Sequence, residues 1–258
     1  MSVRSSYEAG VPCWVDLSSP DVQASVTFYG EIFGWRAEMA DDPAAGGYGQ
    51  FVHDGKKVAG VGPIMGEGMP PVWNVYVATD DAAATADRVK NAGGSVVVEP
   101  MRIFDEGTMA VFQGGDGSFF SVWQAGNHQG AELVNEPGSF CWNELVTRDP
   151  QAAARFYTTV FGWTPKPTEM DGMTYTEWLA DDKSIAGMIE MSPNYPEGTP
   201  SHWATYFAVA DLDATMARAQ SLGATVLIDS MDSPPGRFGM ILDPQGAALS
   251  LIQLTETA

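Results

Sequence analysis

Two five-residue stretches carry the most suggestive chemistry in the chain: Cys13–Leu17 reads CWVDL and Cys141–Leu145 reads CWNEL. They hold the only two cysteines, and each keeps an acid, Asp16 or Glu144, at the same place in the pattern. A carboxylate kept in both copies is a candidate general acid or base, a metal ligand, or a hydrogen-bond anchor. The cysteines raise the question of a disulfide. Two cysteines in 258 residues make no disulfide framework and no CxxC metal spacing exists, so reduced, buried thiols are expected. The alternation of a strand puts Cys13, Val15 and Leu17 on one face and Trp14, Asp16 and Ser18 on the other. In the second copy Cys141, Asn143 and Leu145 oppose Trp142, Glu144 and Val146. The acid therefore shares a face with tryptophan both times.

The elements that position these residues repeat with them. A shift of about 127–130 residues aligns Phe28-Tyr29 with Phe156-Tyr157, and Phe33-Gly34-Trp35 with Phe161-Gly162-Trp163. Tyr48 then aligns with Tyr175, Val58-Ala59-Gly60 with Ile185-Ala186-Gly187, Trp73 with Trp203 and Tyr76 with Tyr206. Within each copy an alternating strand leads to an acid-opened helix, at Asp21 and again at Asp81, where both capping and the helix dipole favour a carboxylate. The helices stop near Gly34, Gly93, Gly162 and Gly223, and three short extended segments follow each one. The unit is βαβββ, present four times and starting near residues 11, 72, 139 and 202. The polar, aperiodic stretch 126–137 reads as a linker between domains at 10–125 and 138–255.

The sequences DVQASVTFYGEIFGW and DPQAAARFYTTVFGW, with the closing segments GDGSFFSVWQ and DPQGAALSLIQ, resemble the vicinal oxygen chelate superfamily in its tandem two-domain actinobacterial form. That superfamily includes glyoxalase I, bleomycin-resistance proteins and extradiol dioxygenases. The resemblance implies an α+β fold in which four βαβββ modules form two glyoxalase-like domains with curved, cup-shaped mixed sheets. Cups could form from neighbouring modules or crosswise.

In metal-using members, ligands lie seven residues before the acid that ends the first strand and four residues after the last turn glycine. Carried over, these positions hold Trp14, Asn74 and Ser121 in the first copy, and Trp142, Ala204 and Ser250 in the second. None is a good ligand for a divalent metal, so no metal and no cofactor is expected. Of the three histidines, His128 in the linker and His53 beside a turn read as solvated bystanders. His202 shares a strand face with Ala204 and Tyr206, and could join Glu144 in one cup if the third and fourth modules pair.

Since the family's ligand position faces the cup, the tryptophan and the acid should face it too, leaving the cysteines against the helices. The expected walls are Trp14, Asp16, Asn74, Tyr76 and Ser121 in one cup, and Trp142, Glu144, Tyr206, Ser250 and His202 in the other. Gln50 and Glu177 add a polar group each. Aromatic walls with a few polar groups suit a planar organic molecule, and desolvation there should raise a carboxyl pKa. The expected function is metal-independent proton transfer (isomerisation, dehydration, ring closure or opening) on an aromatic or polycyclic metabolite. Asp16, Glu144 and His202 are the candidate catalytic groups. The alternatives are a metabolite-sequestering protein of bleomycin-resistance type and a metal enzyme with displaced ligands.

Thirty-three acidic against 13 basic residues give a net charge of -20, which argues against nucleic acid and anionic membranes as partners. No apolar run approaches the ~18 residues of a membrane span. The first residues, MSVRSSYEAGVP, lack the apolar core of a signal peptide, so a cytoplasmic location is expected, with oligomerisation possible.

Overall fold

The computed structural model describes residues 3–66, 68–170 and 172–255. The four modules follow one pattern. In the first, β1 (Pro12–Ser19) leads to α1 (Val22–Phe33) and then to β2 (Arg36–Met39), β3 (Gly49–His53) and β4 (Lys56–Pro63). In the second, β5 (Val72–Ala78) leads to α2 (Ala82–Asn91), β6 (Ser95–Ile103), β7 (Gly107–Gln113) and β8 (Phe119–Ala125). The third runs β9 (Ser139–Thr147), α3 (Pro150–Phe161), β10 (Thr164–Met170), β11 (Met173–Ala180), β12 (Lys183–Glu190). The fourth runs β13 (His202–Ala208), α4 (Leu212–Ser221), β14 (Thr225–Ser233), β15 (Gly236–Leu242), β16 (Ala248–Leu254).

The acid that closes each first strand is the cap of the helix that follows. Asp21, Asp81, Asp149 and Asp211 each accept the backbone N–H three residues on, at Ala24, Ala84, Ala152 and Ala214. A cap of this kind contributes about 1 kcal/mol. It also fixes where the strand must end and so where the residues before it point. Gly34 and Gly162, at φ 72° and 75°, let the chain leave α1 and α3 in the left-handed conformation.

Neighbouring modules share a sheet. The strand orders are β2-β3-β4-β1-β5-β8-β7-β6 and β10-β11-β12-β9-β13-β16-β15-β14. In each, the two first strands run antiparallel at the centre (β1 with β5, β9 with β13), flanked by the parallel pairs β1–β4, β5–β8, β12–β9 and β13–β16. This resolves the pairing that the sequence left open: each curved sheet is one cup built from consecutive modules.

The repeated Phe-Tyr and Phe-Gly-Trp motifs join the two sheets through the helices, with α1 against α4 and α2 against α3. Tyr29 donates to Asp243 in the fourth module at 2.8 Å and receives the Trp73 indole N–H at 3.1 Å. Its mate Tyr157 pairs with Ser118 in the second module at 2.9 Å and receives the Trp203 N–H at 2.9 Å. Trp35 donates to the Gly138 carbonyl and Trp163 to the Gly10 carbonyl, both at 2.7 Å. These hydrogen bonds tie the aromatic joint together across the duplication, while the indole N–H of Trp178, packed on Tyr157 and Trp163, has no hydrogen-bond partner among the described residues.

Both cysteines are free. Cys13 is fully buried, and Cys141 is partly exposed, its thiol 3.5 Å from the Tyr206 carbonyl. Burial pushes the Cys141 thiol up to about 12, so it stays protonated and unreactive. No helix among the described residues is long and apolar enough to cross a membrane.

Candidate functional site

The register at the centre of each sheet gathers most of the expected residues on one face. Trp14 lies opposite Tyr76 and Asp16 opposite Asn74, with Gly60 beside Asp16 and Ser121 beside Tyr76. The second sheet places Trp142 opposite Tyr206 and Glu144 opposite Ala204, with Gly187 beside Glu144 and Ser250 beside Tyr206. Gln50 is next to Gly60 and Glu177 next to Gly187, one strand further out. Glu177 bonds Lys166 across the edge at 3.2 Å, and hydrogen bonds from Ser184 and Lys166 hold its carboxyl below the usual range.

In the first cup Asp16 is the hub. Its Oδ1 accepts from Asn74 Nδ2 at 2.8 Å, and its Oδ2 accepts from Tyr76 at 2.8 Å and Tyr48 at 3.3 Å. Trp14 donates its indole N–H to Tyr48 at 3.1 Å, and Asn74 also reaches Ser18 at 3.0 Å. Burial raises the Asp16 pKa, opposed by the hydrogen bonds from Asn74, Tyr76 and Tyr48.

The second cup keeps this plan with one deletion. Tyr206 donates to Glu144 Oε1 at 3.0 Å, Tyr175 hydrogen-bonds the same carboxyl, and Trp142 donates to Tyr175 at 3.0 Å. Ala204 stands where Asn74 stood, so the amide donor is missing. Burial again raises the carboxyl pKa, opposed by the bonds from Tyr206 and Tyr175.

Tyr48, just before β3, and Tyr175, on β11, are central to this arrangement, although alternation directed attention to Gln50 and Glu177 two residues further on. The signal that could have found them is the pairing of an aligned tyrosine with an aligned glycine. Each ring lies across the next strand where Gly60 or Gly187 leaves room: a Cβ on either glycine would overlap the tyrosine hydroxyl. Cross-strand neighbours at such glycines approach as closely as the backbone permits.

The two cups differ in access. Trp14, Asp16 and Tyr76 are 3%, 7% and 7% exposed, whereas Trp142, Glu144 and Tyr206 are all partly open to solvent. One side chain that covers Trp14 is His128, which is a buried residue and not the solvated bystander its sequence context suggested. Its imidazole packs edge-on against Trp14 at 4.4 Å between centroids and against Trp123 at 5.6 Å, while its carbonyl accepts the Trp123 indole N–H at 2.8 Å. The segment that carries it is stitched to the sheet by Ala131 N–H to the Cys13 carbonyl and Glu132 N–H to the Lys57 carbonyl. Burial lowers the His128 pKa to about 4, with the nearby Lys57 charge acting in the same direction. Among the described residues no ring packs on Trp142 in this way. His53 is also half-buried, its ring against Gly138.

His202 sits on the cup face at the start of β13, two positions along from the Glu144 row. Its Nδ1 faces the Pro200 carbonyl at 2.9 Å and its ring faces Tyr195 at 6.2 Å, so it bonds the loop before β13 and not the acid.

The positions at which relatives hold a metal are thus filled by Trp14, Asn74 and Ser121, and by Trp142, Ala204 and Ser250. Each indole N–H is committed to a tyrosine and the Asn74 amide to Asp16 and Ser18. Each cup centre offers a single carboxylate, and no group of three or more His, Cys, Asp or Glu gathers among the described residues. This donor set does not fit a divalent metal.

Comparison with known proteins agrees with the architecture. Residues 13–122 match the model of the Glyoxalase/Bleomycin resistance protein/Dioxygenase superfamily, and residues 140–252 match that of a glyoxalase-like domain. The chain is 43% identical to the anthracycline biosynthesis protein DnrV of Streptomyces peucetius, over 97% of this chain and 95% of that one. It is 41% identical to the putative glyoxylase CFP32 of Mycobacterium bovis, over 98% of both. In fold it is similar to an Mn(II)-bound glyoxalase from Novosphingobium aromaticivorans, with a TM-score of 0.65 and 16% identity over 98% of this chain and 83% of that one. It is equally similar to the 2,2',3-trihydroxybiphenyl 1,2-dioxygenase of Sphingomonas wittichii, with a TM-score of 0.65 and 15% identity over 97% and 93%. With both of its halves matched and its near-full length shared with these relatives, the chain belongs to the glyoxalase/bleomycin resistance protein/dioxygenase superfamily.

Proposed function

We propose that this protein is a metal-independent enzyme of specialised metabolism that uses Glu144 for proton transfer on an aromatic or polycyclic substrate bound in the second cup. One observation carries the reading: a carboxyl of raised pKa sits between the hydroxyls of Tyr206 and Tyr175 in a cup that stays open to solvent. A general acid or base works best with a pKa near the working pH, and desolvation moves a glutamate in that direction. The relative named for anthracycline biosynthesis supports a polycyclic substrate.

In this reading Glu144 takes a proton from a carbon beside a substrate carbonyl, or from a phenol. The tyrosine hydroxyls released from the neutralised carboxyl then donate to the developing enolate or phenolate oxygen. Glu144 returns the proton at another atom of the same molecule, so the step is an isomerisation that needs no oxidant. In the first cup Asp16 already holds three donors and is buried, and we assign it a structural role.

Sequestration without turnover is the second reading. It is favoured by the fact that Glu144 is already satisfied by two phenols when no ligand is bound. Proton NMR in D2O with a hydroxylated anthraquinone bearing a ketone with exchangeable C–H bonds separates the two. Deuterium incorporation that is lost in Glu144→Gln, with binding retained, supports the enzyme. Tight binding to the wild type with neither exchange nor product supports sequestration.

A further inference from the structure

The loop between β12 and β13, residues 191–201, carries Tyr195 on the side of the second cup, and the structure gives it a built mooring. The Arg148 guanidinium donates from Nε to the Thr199 carbonyl and from Nη2 to the Pro196 carbonyl, both at 3.1 Å. His202, rising from the cup face of β13, holds the Pro200 carbonyl at 2.9 Å and presents its ring to Tyr195 at 6.2 Å. Within the loop, Thr199 closes back on Pro196 at 2.8 Å. Three carbonyls of the loop, those of Pro196, Thr199 and Pro200, are therefore held by two side chains that belong to the cup's own central strands or their ends.

Among its described residues, the corresponding loop of the first cup shows none of this mooring. Pro20 stands in the place of Arg148, and Met65 and Met69 are exposed on the loop at 87% and 54%. Tyr195, in contrast, is half-buried, and it is close enough to the Glu144 carboxyl for that charge to raise its phenol pKa after burial itself. A third phenol thus stands at the rim beside His202, near the acid that Tyr206 and Tyr175 grip from the sheet. A ring held at the rim above a floor of indole and phenol rings is the arrangement that stacks a flat aromatic ligand.

We propose that Tyr195, moored by Arg148 and His202, is a specificity-determining residue of the second cup, closing over a planar polycyclic phenol so that the ligand lies between the Tyr195 ring and the Trp142–Tyr206 floor. This rests on the assignment of the second cup as the site. It makes the loop the part that selects ligand shape, and Glu144 the part that does chemistry. It also gives His202 a role as a support of the loop.

The test is calorimetric titration of the full chain with alizarin, a planar dihydroxyanthraquinone, and with catechol, a single ring bearing the same hydroxyl pair. Tyr195→Ala should weaken alizarin about tenfold and catechol less than threefold, with Tyr195→Phe close to wild type, because stacking scales with ring area. Arg148→Ala should weaken alizarin severalfold and speed amide exchange across 192–200. Equal effects on the two ligands, or none at Tyr195 and Arg148 while Trp142→Ala abolishes binding, would overturn the role of the loop alone. Failure of wild type to bind alizarin, or binding indifferent to Trp142→Ala, would overturn the site assignment together with the loop.

Discussion

The imidazole of His128 stands edge-on to the indole of Trp14 at 4.4 Å, a ring contact that Trp142 lacks among the described residues. Trp14 is buried, while Trp142, its mate, stays partly open. Both cups keep an acid, an indole and two phenols, but the acid and the indole of the second are the more open to solvent.

His128 should make stability depend on pH in a defined direction. Its pKa is depressed to about 4 in the folded chain against an ordinary 6.5, so the unfolded chain takes up the proton first. The contribution is fully present above about pH 6.5 and is lost as pH falls toward 4, at most about 3 kcal/mol. Urea midpoints of wild type and His128→Leu at pH 7.5 and 4.5 check this. The advantage of wild type should shrink at the lower pH; an advantage that stays constant would show that His128 is not buried neutral.

Asp16→Ala should cost about 2–4 kcal/mol, since it strips a shared acceptor from Asn74, Tyr76 and Tyr48 in a closed cup. Denaturant unfolding measures the loss. Alizarin affinity of the folded fraction should stay within twofold of wild type, because that ligand is assigned to the other cup.

Gly187→Ala should displace the Tyr175 ring that lies over this glycine. Glu144 would then lose a hydrogen bond to its charged form, and its pKa should rise further. The pH dependence of deuterium exchange, or of the Glu144 carboxyl signal by NMR, should move to higher pH. A shift to lower pH would contradict the assigned role of Tyr175.

Trp163→Phe should destabilise by about 1–3 kcal/mol, because the buried Gly10 carbonyl loses its donor while the ring volume nearly remains. Thermal or urea unfolding should lose both halves in one transition, as expected where α1 packs on α4, α2 on α3 and the central strands β5 and β13 meet. Two separated transitions in wild type would count against the joint.

Much of this was legible before any coordinates. The acids that cap the four helices are fixed by local chemistry, and counting back seven residues from each finds the side chains that face the cup. Period-two alternation put Asp16 and Glu144 on the same face as their tryptophans, and the family resemblance marked that face as the inner one. Tyr48 and Tyr175 escaped because alternation gives the face on which a ring starts, not the neighbouring strand it crosses, and that path is set by glycines on β4 and β12. His128 escaped because segment 126–137 has no periodicity; backbone bonds to Cys13 and Lys57, invisible in side-chain patterns, bring it back to the sheet. His202 was placed on the correct face, but the Pro200 carbonyl turns its ring to the loop.

The most direct measurement is deuterium exchange into the C–H bonds beside the ketone of a bound hydroxylated anthraquinone that carries one, compared in wild type, Glu144→Gln and Asp16→Asn, with affinity measured alongside. The account predicts exchange in wild type, at least a hundredfold loss in Glu144→Gln with affinity within about threefold, and near-normal exchange in Asp16→Asn. Exchange that survives Glu144→Gln, or is abolished by Asp16→Asn in a folded protein, would contradict it.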